Sequence, residues 1–328
     1  MPCIVRFAGM AFLPWFPNSG RWLRLFLAAM GGALLLGCRT TSVSPLTGAP
    51  TGHEIIVAGQ RFAAGTRVVT WREAGGYNAY RAGLPFPPRQ APQLKSREAA
   101  RVKTRGWDVA ALRKVVDQFV LHYDAEGLSR RCFEVLQKRP GLSVHFLLDV
   151  DGTIYQTLDL QERASHATTS NNRSIGIEIA NVGAHPPHEA AVLDAWYRRD
   201  AAGVTTLTIP EKFRETGLLT RGFAGRPARP LPVRGTLQGK ELVQYDFTPE
   251  QYAALAKLTA ALCRVFPRIA CDVPRDAAGQ VLAQKLPDAA LANYRGILGH
   301  FHIQENKVDP GPAFQWESFL REARGPAR

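Results

Sequence analysis

Two histidines and two acids stand where apolar runs end, and their types could carry hydrolytic chemistry. His122 follows Phe119-Val120-Leu121 and His300 follows Ile297-Leu298-Gly299, so each imidazole arrives at the end of a β-prone run. Asp309 comes nine residues after His300, in the loop Asn306-Lys307-Val308-Asp309-Pro310-Gly311-Pro312. Two imidazoles and one carboxylate from separate elements make a three-ligand zinc site with an open position for water. No single spacing establishes a metal, and either histidine taken alone reads as a structural residue. Eight histidines are an ordinary count for 328 residues.

Glu178 is informative in another way. In Ile175-Gly176-Ile177-Glu178-Ile179-Ala180 the isoleucines share one strand face, and Gly176, Glu178 and Ala180 share the other. The carboxylate is flanked by the two smallest side chains. That pattern implies an open pocket floor with one acid standing in it, a setting for a general base. An edge strand with a solvated glutamate is the alternative, and it leaves the small neighbours unexplained.

The elements that must position these groups alternate between strand and helix. Ile55-Ile56-Val57 and Val68-Val69-Thr70 are β-prone runs with a glycine-containing turn between them. Residues 84–95, with Pro85, Pro87, Pro88 and Pro92, read as an extended linker. Asp108 caps a short helix that runs into the strand Gln118 to Tyr123. Leu128 to Lys138 is helical and stops at Pro140-Gly141. Ser143 to Asp149 and Thr153 to Thr157 are strands around the hairpin signal Asp151-Gly152. Thr248-Pro249-Glu250-Gln251 opens an amphipathic helix reaching Phe266, with an N-cap, a proline and a Gln at the third position. A strand approaches His300, and a helix between Pro312 and Ala323 follows. Interleaved strands and helices give an α/β (α+β) class, with a mixed central β-sheet flanked by helices. Residues 183–247 break this rhythm with six prolines and weak periodicity. They are expected to be decoration or disorder, with a substrate-side lid as the sharper alternative.

The first 37 residues read as an address. Arg21 and Arg24 precede the apolar run Leu25 to Leu36, which ends in Gly37-Cys38. A positive flank, a short apolar stretch and small residues at a cleavage point describe a secretory signal. Leu35-Leu36-Gly37-Cys38 resembles the bacterial lipobox, in which the cysteine is lipidated and becomes the mature N-terminus. Arg39 follows it instead of the aspartate that marks inner-membrane retention, which points to a lipid anchor in the outer membrane, facing the periplasm. Loss of Arg6, Arg21 and Arg24 with the signal lowers the formal net charge of +13 by three. A basic protein is drawn to polyanions, and export removes nucleic acid from consideration. Residues 38–106 then form a tether, a short β-hairpin and the proline-rich linker, ahead of a domain spanning 107–328.

Five blocks occur in an order that matches a known family. They are His122-Tyr123, Ser143-Val144-His145-Phe146 with Asp151-Gly152-Thr153-Ile154-Tyr155-Gln156, Ser165-His166-Ala167, Ser174-Ile175-Gly176-Ile177-Glu178, and Gly299-His300 through Lys307-Val308-Asp309-Pro310-Gly311-Pro312. Together they resemble the type 2 N-acetylmuramoyl-L-alanine amidases, zinc amidases related to phage lysozyme-like amidases and to peptidoglycan recognition proteins. The resemblance covers residues 107–323, interrupted by 183–247. It implies that His122, His300 and Asp309 ligate Zn²⁺, that Glu178 is the catalytic glutamate, and that Lys307 stabilises an oxyanion. His166 matches a family histidine near the substrate, and His145 one on the neighbouring strand, both with weaker roles. Some relatives carry a tyrosine where this chain has Val144, and those relatives usually lack the glutamate. His185, His188 and His302 match no family role and are expected at the surface or in support.

The implied reaction is hydrolysis of the amide between N-acetylmuramic acid and L-alanine, in peptidoglycan or muropeptides, by a monomer. A non-catalytic recognition module is one rival, although such relatives typically lose a metal ligand. A structural lipoprotein that ties membrane to wall by charge is another. Cys132, Cys263 and Cys271 are expected as buried free thiols, with a Cys263–Cys271 disulfide as the alternative.

Overall fold

Capping and alternation set the elements, in the computed structural model, which describes residues 43–83 and 86–325. The signal segment and Cys38 lie outside the described residues. β1 (Glu54–Val57) and β2 (Gln60–Ala63) form an antiparallel hairpin. β3 (Val68–Thr70) does not pair with it, although the sequence suggested a hairpin of the two β-prone runs. It lies parallel to a strand of the main sheet instead, because all three of its residues can be buried there. The proline-rich stretch leads to α1 (Ser96–Arg105) and α2 (Val109–Val115). Asp108 caps α2 as expected, accepting from the Ala111 N–H at 2.8 Å, which stabilises such a terminus by about 1 kcal/mol.

β4 (Gln118–Tyr123), α3 (Ser129–Lys138), β5 (Phe146–Leu148), β6 (Ile154–Gln156) and β7 (Ser174–Ile179) follow. Then come two antiparallel hairpins, β8 (Tyr197–Arg199) with β9 (Thr205–Leu207), and β10 (Val233–Leu237) with β11 (Lys240–Gln244). α4 (Pro249–Val265) carries the capping box read from the sequence, with Thr248 and Gln251 exchanging side-chain and backbone bonds. α5 (Asp288–Asn293), β12 (Gly296–Gly299) and α6 (Trp316–Arg324) complete the described chain.

The main sheet has the order β12-β4-β7-β5-β6-β3. β12, β4, β7 and β5 run parallel, β6 turns back antiparallel to β5, and β3 is parallel to β6. The fold is a mixed α/β sheet flanked by helices. One face buries Phe119, Leu121, Ile175, Ile177 and Phe146 against Leu255, Leu258 and Leu262 of α4 and Phe319 of α6. Ile55, Val57 and Phe62 of the first hairpin enter this same core. α3 covers the other face, where Cys132 meets Val69, Leu147 and Tyr155. The described residues fall within one compact unit, which begins at Thr40.

Residues 183–247 are neither disordered nor loose. Trp196, Tyr197, Leu193 and Val243 build a second apolar cluster with Leu128, Val150 and Val182. Arg131 stacks over the Phe213 ring at 3.5 Å, tying this layer to α3. Cys132, Cys263 and Cys271 carry free thiols, the last two within reach of one another. Among the described residues no helix is long and apolar enough to cross a membrane.

Candidate active site

Parallel strands deliver their side chains to one edge of a sheet, and loops at the carboxyl ends of such strands gather functional groups. His122 is near the end of β4, Glu178 near the end of β7, and His300 directly follows β12. Asp309 enters from the loop that follows His300. These four residues and Lys307 line a cleft of about 410 Å³, with Arg139 and Ser165 on its walls. None of residues 183–247 lines it.

Three donor atoms converge at the cleft floor. His122 Nδ1 is 2.8 Å and His300 Nδ1 3.0 Å from Asp309 Oδ2, and the two Nδ1 atoms are 3.0 Å apart. All three residues are buried. The opposite nitrogens have partners of their own. His300 Nε2 donates to Gln304 Oε1 at 2.6 Å, and His122 Nε2 lies 3.0 Å from His166 Nδ1. His166 Nε2 in turn faces Ser174 Oγ at 3.3 Å. With Nε2 the protonated nitrogen on both rings, each Nδ1 offers its lone pair to the triangle. Burial, with His300 beside it, pushes His122 down to about 4, so its ring is neutral at pH 7. Burial works against the charge of Asp309, but His300 and His122 hold its carboxyl well below the usual carboxylate range. Two imidazoles and one carboxylate, with outer partners fixing ring orientation, fit Zn²⁺.

Glu178 stands beside this triangle. Burial, with Asp309 and Asp124 nearby, pushes its carboxyl well above the usual range, and Lys307 pulls it back. Such a group releases and takes up a proton closer to neutrality than a solvated glutamate does. The small residues around it serve a different purpose from the one expected. A Cβ on Gly176 would lie 2.5 Å from the His166 ring, so the glycine makes room for that imidazole and the floor there is filled.

His166 does line the cleft, but its closest polar contact is His122. His145 is placed elsewhere. It is fully buried behind the cleft, accepting from the Gly176 N–H at Nδ1 and donating from Nε2 to the Glu162 carbonyl, both at 3.1 Å. Burial, and then Arg89, push it down to about 3. His302, expected at the surface or in support, is also fully buried. It accepts from the Gly299 N–H and donates to the Leu282 carbonyl, which fixes the turn that presents His300.

Two positioning residues escape a motif-based reading. Gln244, on the last strand of the insertion, is fully buried and brackets the ligand loop. Its Nε2 donates to the Pro310 carbonyl at 3.0 Å, and its Oε1 accepts from the Ala313 N–H at 3.0 Å. Gly311 adopts φ +92°, and a Cβ there would sit 2.1 Å from Gln244 Oε1, so only glycine admits the clamp. Arg89, in the proline-rich stretch, buries its guanidinium against the Glu162 carbonyl at 2.6 Å and the Asn172 carbonyl at 2.9 Å. It joins the loop before His166 to the start of β7. A glutamine at a strand end and an arginine among prolines carry no pattern that would flag them.

Residues 112–230 match the family model described as N-acetylmuramoyl-L-alanine amidase. Those residues form a type 2 N-acetylmuramoyl-L-alanine amidase domain. The match takes in His122, His145, His166 and Glu178, while the block from His300 to Asp309 lies beyond it. Structural alignment pairs this amidase with the endolysin amidase LysCS from Clostridium intestinale URNW at 15% identity and a TM-score of 0.32, covering 63% of this chain and 83% of that one. AmiD from E. coli, solved with anhydro-N-acetylmuramic acid-L-Ala-D-gamma-Glu-L-Lys, aligns at 19% identity and 0.33, covering 71% of this chain and 60% of that one. No curated protein sequence matches the chain. The family assignment stands on the sequence match.

Proposed function

We propose that this amidase is a zinc enzyme of the periplasm, lipid-anchored to the outer membrane through Cys38, that removes stem peptides from peptidoglycan or muropeptides during wall remodelling or recycling. The observation that carries the reading is the triangle of His122 Nδ1, His300 Nδ1 and Asp309 Oδ2 beside a partly buried Glu178. When bound there, Zn²⁺ supplies Lewis-acid polarisation of a carbonyl and a water of lowered pKa.

The chain's own groups do the rest. Glu178 accepts a proton from the attacking water and passes it to the nitrogen of L-alanine as the C–N bond breaks. The products are the lactyl carboxylate and a free peptide amine. Lys307 offers its ammonium to the oxygen that gains charge, a contribution of about 3 kcal/mol in comparable sites. Arg139 at the cleft wall suits the carboxylates of a stem peptide.

The test uses residues 40–328 with defined muropeptides, with and without chelator, and mass spectrometry for free stem peptide. Release that EDTA abolishes, zinc restores and Glu178→Ala lacks is the expected result. Tight muropeptide binding without release, at full zinc occupancy, would overturn it in favour of a recognition module.

A further inference from the structure

The end of the sheet opposite the cleft is strongly basic, and nothing in the catalytic site uses it. Asp117, just before β4, is 2% exposed and faces three arginines. Arg173 holds it at 2.6 Å, Arg268 at 3.1 Å, and Arg295 lies at 3.7 Å. Three guanidinium groups around one carboxylate leave surplus positive charge over a neighbouring cleft of about 340 Å³, whose other polar lining residues are the neutral amides Gln90, Gln93 and Asn172.

α1 extends this charge. It carries Arg97, Arg101, Lys103 and Arg105 against one acid, Glu98, and buries none of its residues. Its ties to the body are the ion pairs Lys114–Glu98 and Arg101–Asp108. Exposed pairs of this kind add little stability. A ten-residue helix that packs nothing into the core presents its cationic side chains to whatever lies outside.

The chain enters at this same end. Val43 is the first described residue, and its carbonyl accepts from Arg113 Nη2 at 2.9 Å, while Arg113 Nε donates to the Val265 carbonyl at 2.9 Å. Arg113 is the neighbour of Lys114, which holds α1, and Val265 lies three residues before Arg268. Cys38 is five residues from Val43, at most about 17 Å along an extended chain. β4 and β7 are six residues long, so about 20 Å separates this end from the cleft.

We propose that α1 together with the Arg173–Arg268–Arg295 cluster docks on an anionic phospholipid surface. Clustered lysines and arginines bind such surfaces through headgroup phosphates, in a manner that salt screens. The cleft mouth would then point away from the membrane. Orientation of the anchored enzyme rests on the lipidation proposed above, but the lipid contact itself does not need the acyl chain.

Residues 40–328, which lack Cys38, would be sedimented with vesicles of phosphatidylcholine, with and without about 30% phosphatidylglycerol. At low salt, partition onto the anionic vesicles should be about tenfold higher and should vanish near 0.5 M salt. The triple variant R97E/K103E/R105E should lose at least that factor. R198E/R199E/R221E makes the same charge change on exposed residues of the insertion and should keep it. No preference for anionic vesicles, or an equal loss in both variants, would overturn the proposal. So would unchanged vesicle binding with weakened binding to isolated sacculi, which would assign the face to the wall. Hydrolysis of a soluble muropeptide, measured on all three proteins, should be unchanged, which separates failure here from failure of the amidase reading.

Discussion

His122 and Glu178 are direct neighbours across the parallel pairing of β4 and β7. One backbone register therefore sets the spacing between a candidate metal ligand and a candidate base. Both side chains occupy the face opposite the isoleucines, whose burial locks that register. A slip of one residue would turn Glu178 into the core.

Glu178→Gln keeps the shape and removes the base. Hydrolysis should fall by a factor of about 10² to 10⁴. Zinc content, measured by elemental analysis, should stay at the wild-type level. Loss of zinc in this variant would make Glu178 part of the metal site.

The raised carboxyl of Glu178 sets the acid limb of the rate profile. The base must be deprotonated, so kcat/KM should fall as pH drops through a value above the usual glutamate figure of about 4.3. Lys307 pulls this value down, so Lys307→Met should move the limb to higher pH as well as lower the maximum. A limb that stays in place would show that another group titrates there.

Gln244→Ala would release the loop that carries Asp309. Outer groups of this kind typically tune metal affinity by about 10- to 100-fold, so zinc should bind that much more weakly in a competition titration. Gln244→Glu retains one oxygen acceptor for the Ala313 N–H and should recover part of the loss.

Arg89→Ala would leave the Asn172 carbonyl without its buried partner and the Glu162 carbonyl with His145 alone. Unfolding should become easier by about 3 kcal/mol, measured by denaturant titration. An effect within about 0.5 kcal/mol, as at an ordinary surface site, would show that the stretch around Arg89 is dispensable.

Asp149 is fully buried, burial pushes it up to about 8, and its Oδ2 has no hydrogen-bond partner among the described residues. The folded state keeps a proton that the unfolded chain releases near pH 3.9, so this group costs stability progressively as pH rises from there toward 8. Asp149→Asn should be near neutral at pH 4 and increasingly stabilising up to pH 8, by at most about 1.4 kcal/mol per unit. A gain independent of pH would refute the assignment.

The sheet and its site groups were legible because each depends on local pattern. Alternation placed Glu178 opposite three isoleucines, and Thr248 with Gln251 marked a helix start that the structure contains. Long-range choices were not legible. Val68–Thr70 has the same composition whether it closes a hairpin or joins a distant strand, and burial beside β6 decides between them. The order of residues 183–247 depends on Trp196 and Tyr197 finding Leu128 and Val182, contacts that no local period encodes. Gln244 and Arg89 act through backbone carbonyls, which every sequence contains.

β3 has a consequence for how this chain can be shortened. It pairs along β6, whose other neighbour is β5. A fragment cut to residues 112–230, or begun at 107, would present the β6 backbone N–H and C=O groups of Ile154–Gln156 to solvent as a bare edge. Unprotected edges recruit other strands, including those of identical molecules. The residues ahead of the family's boundary thus supply the strand that covers this edge.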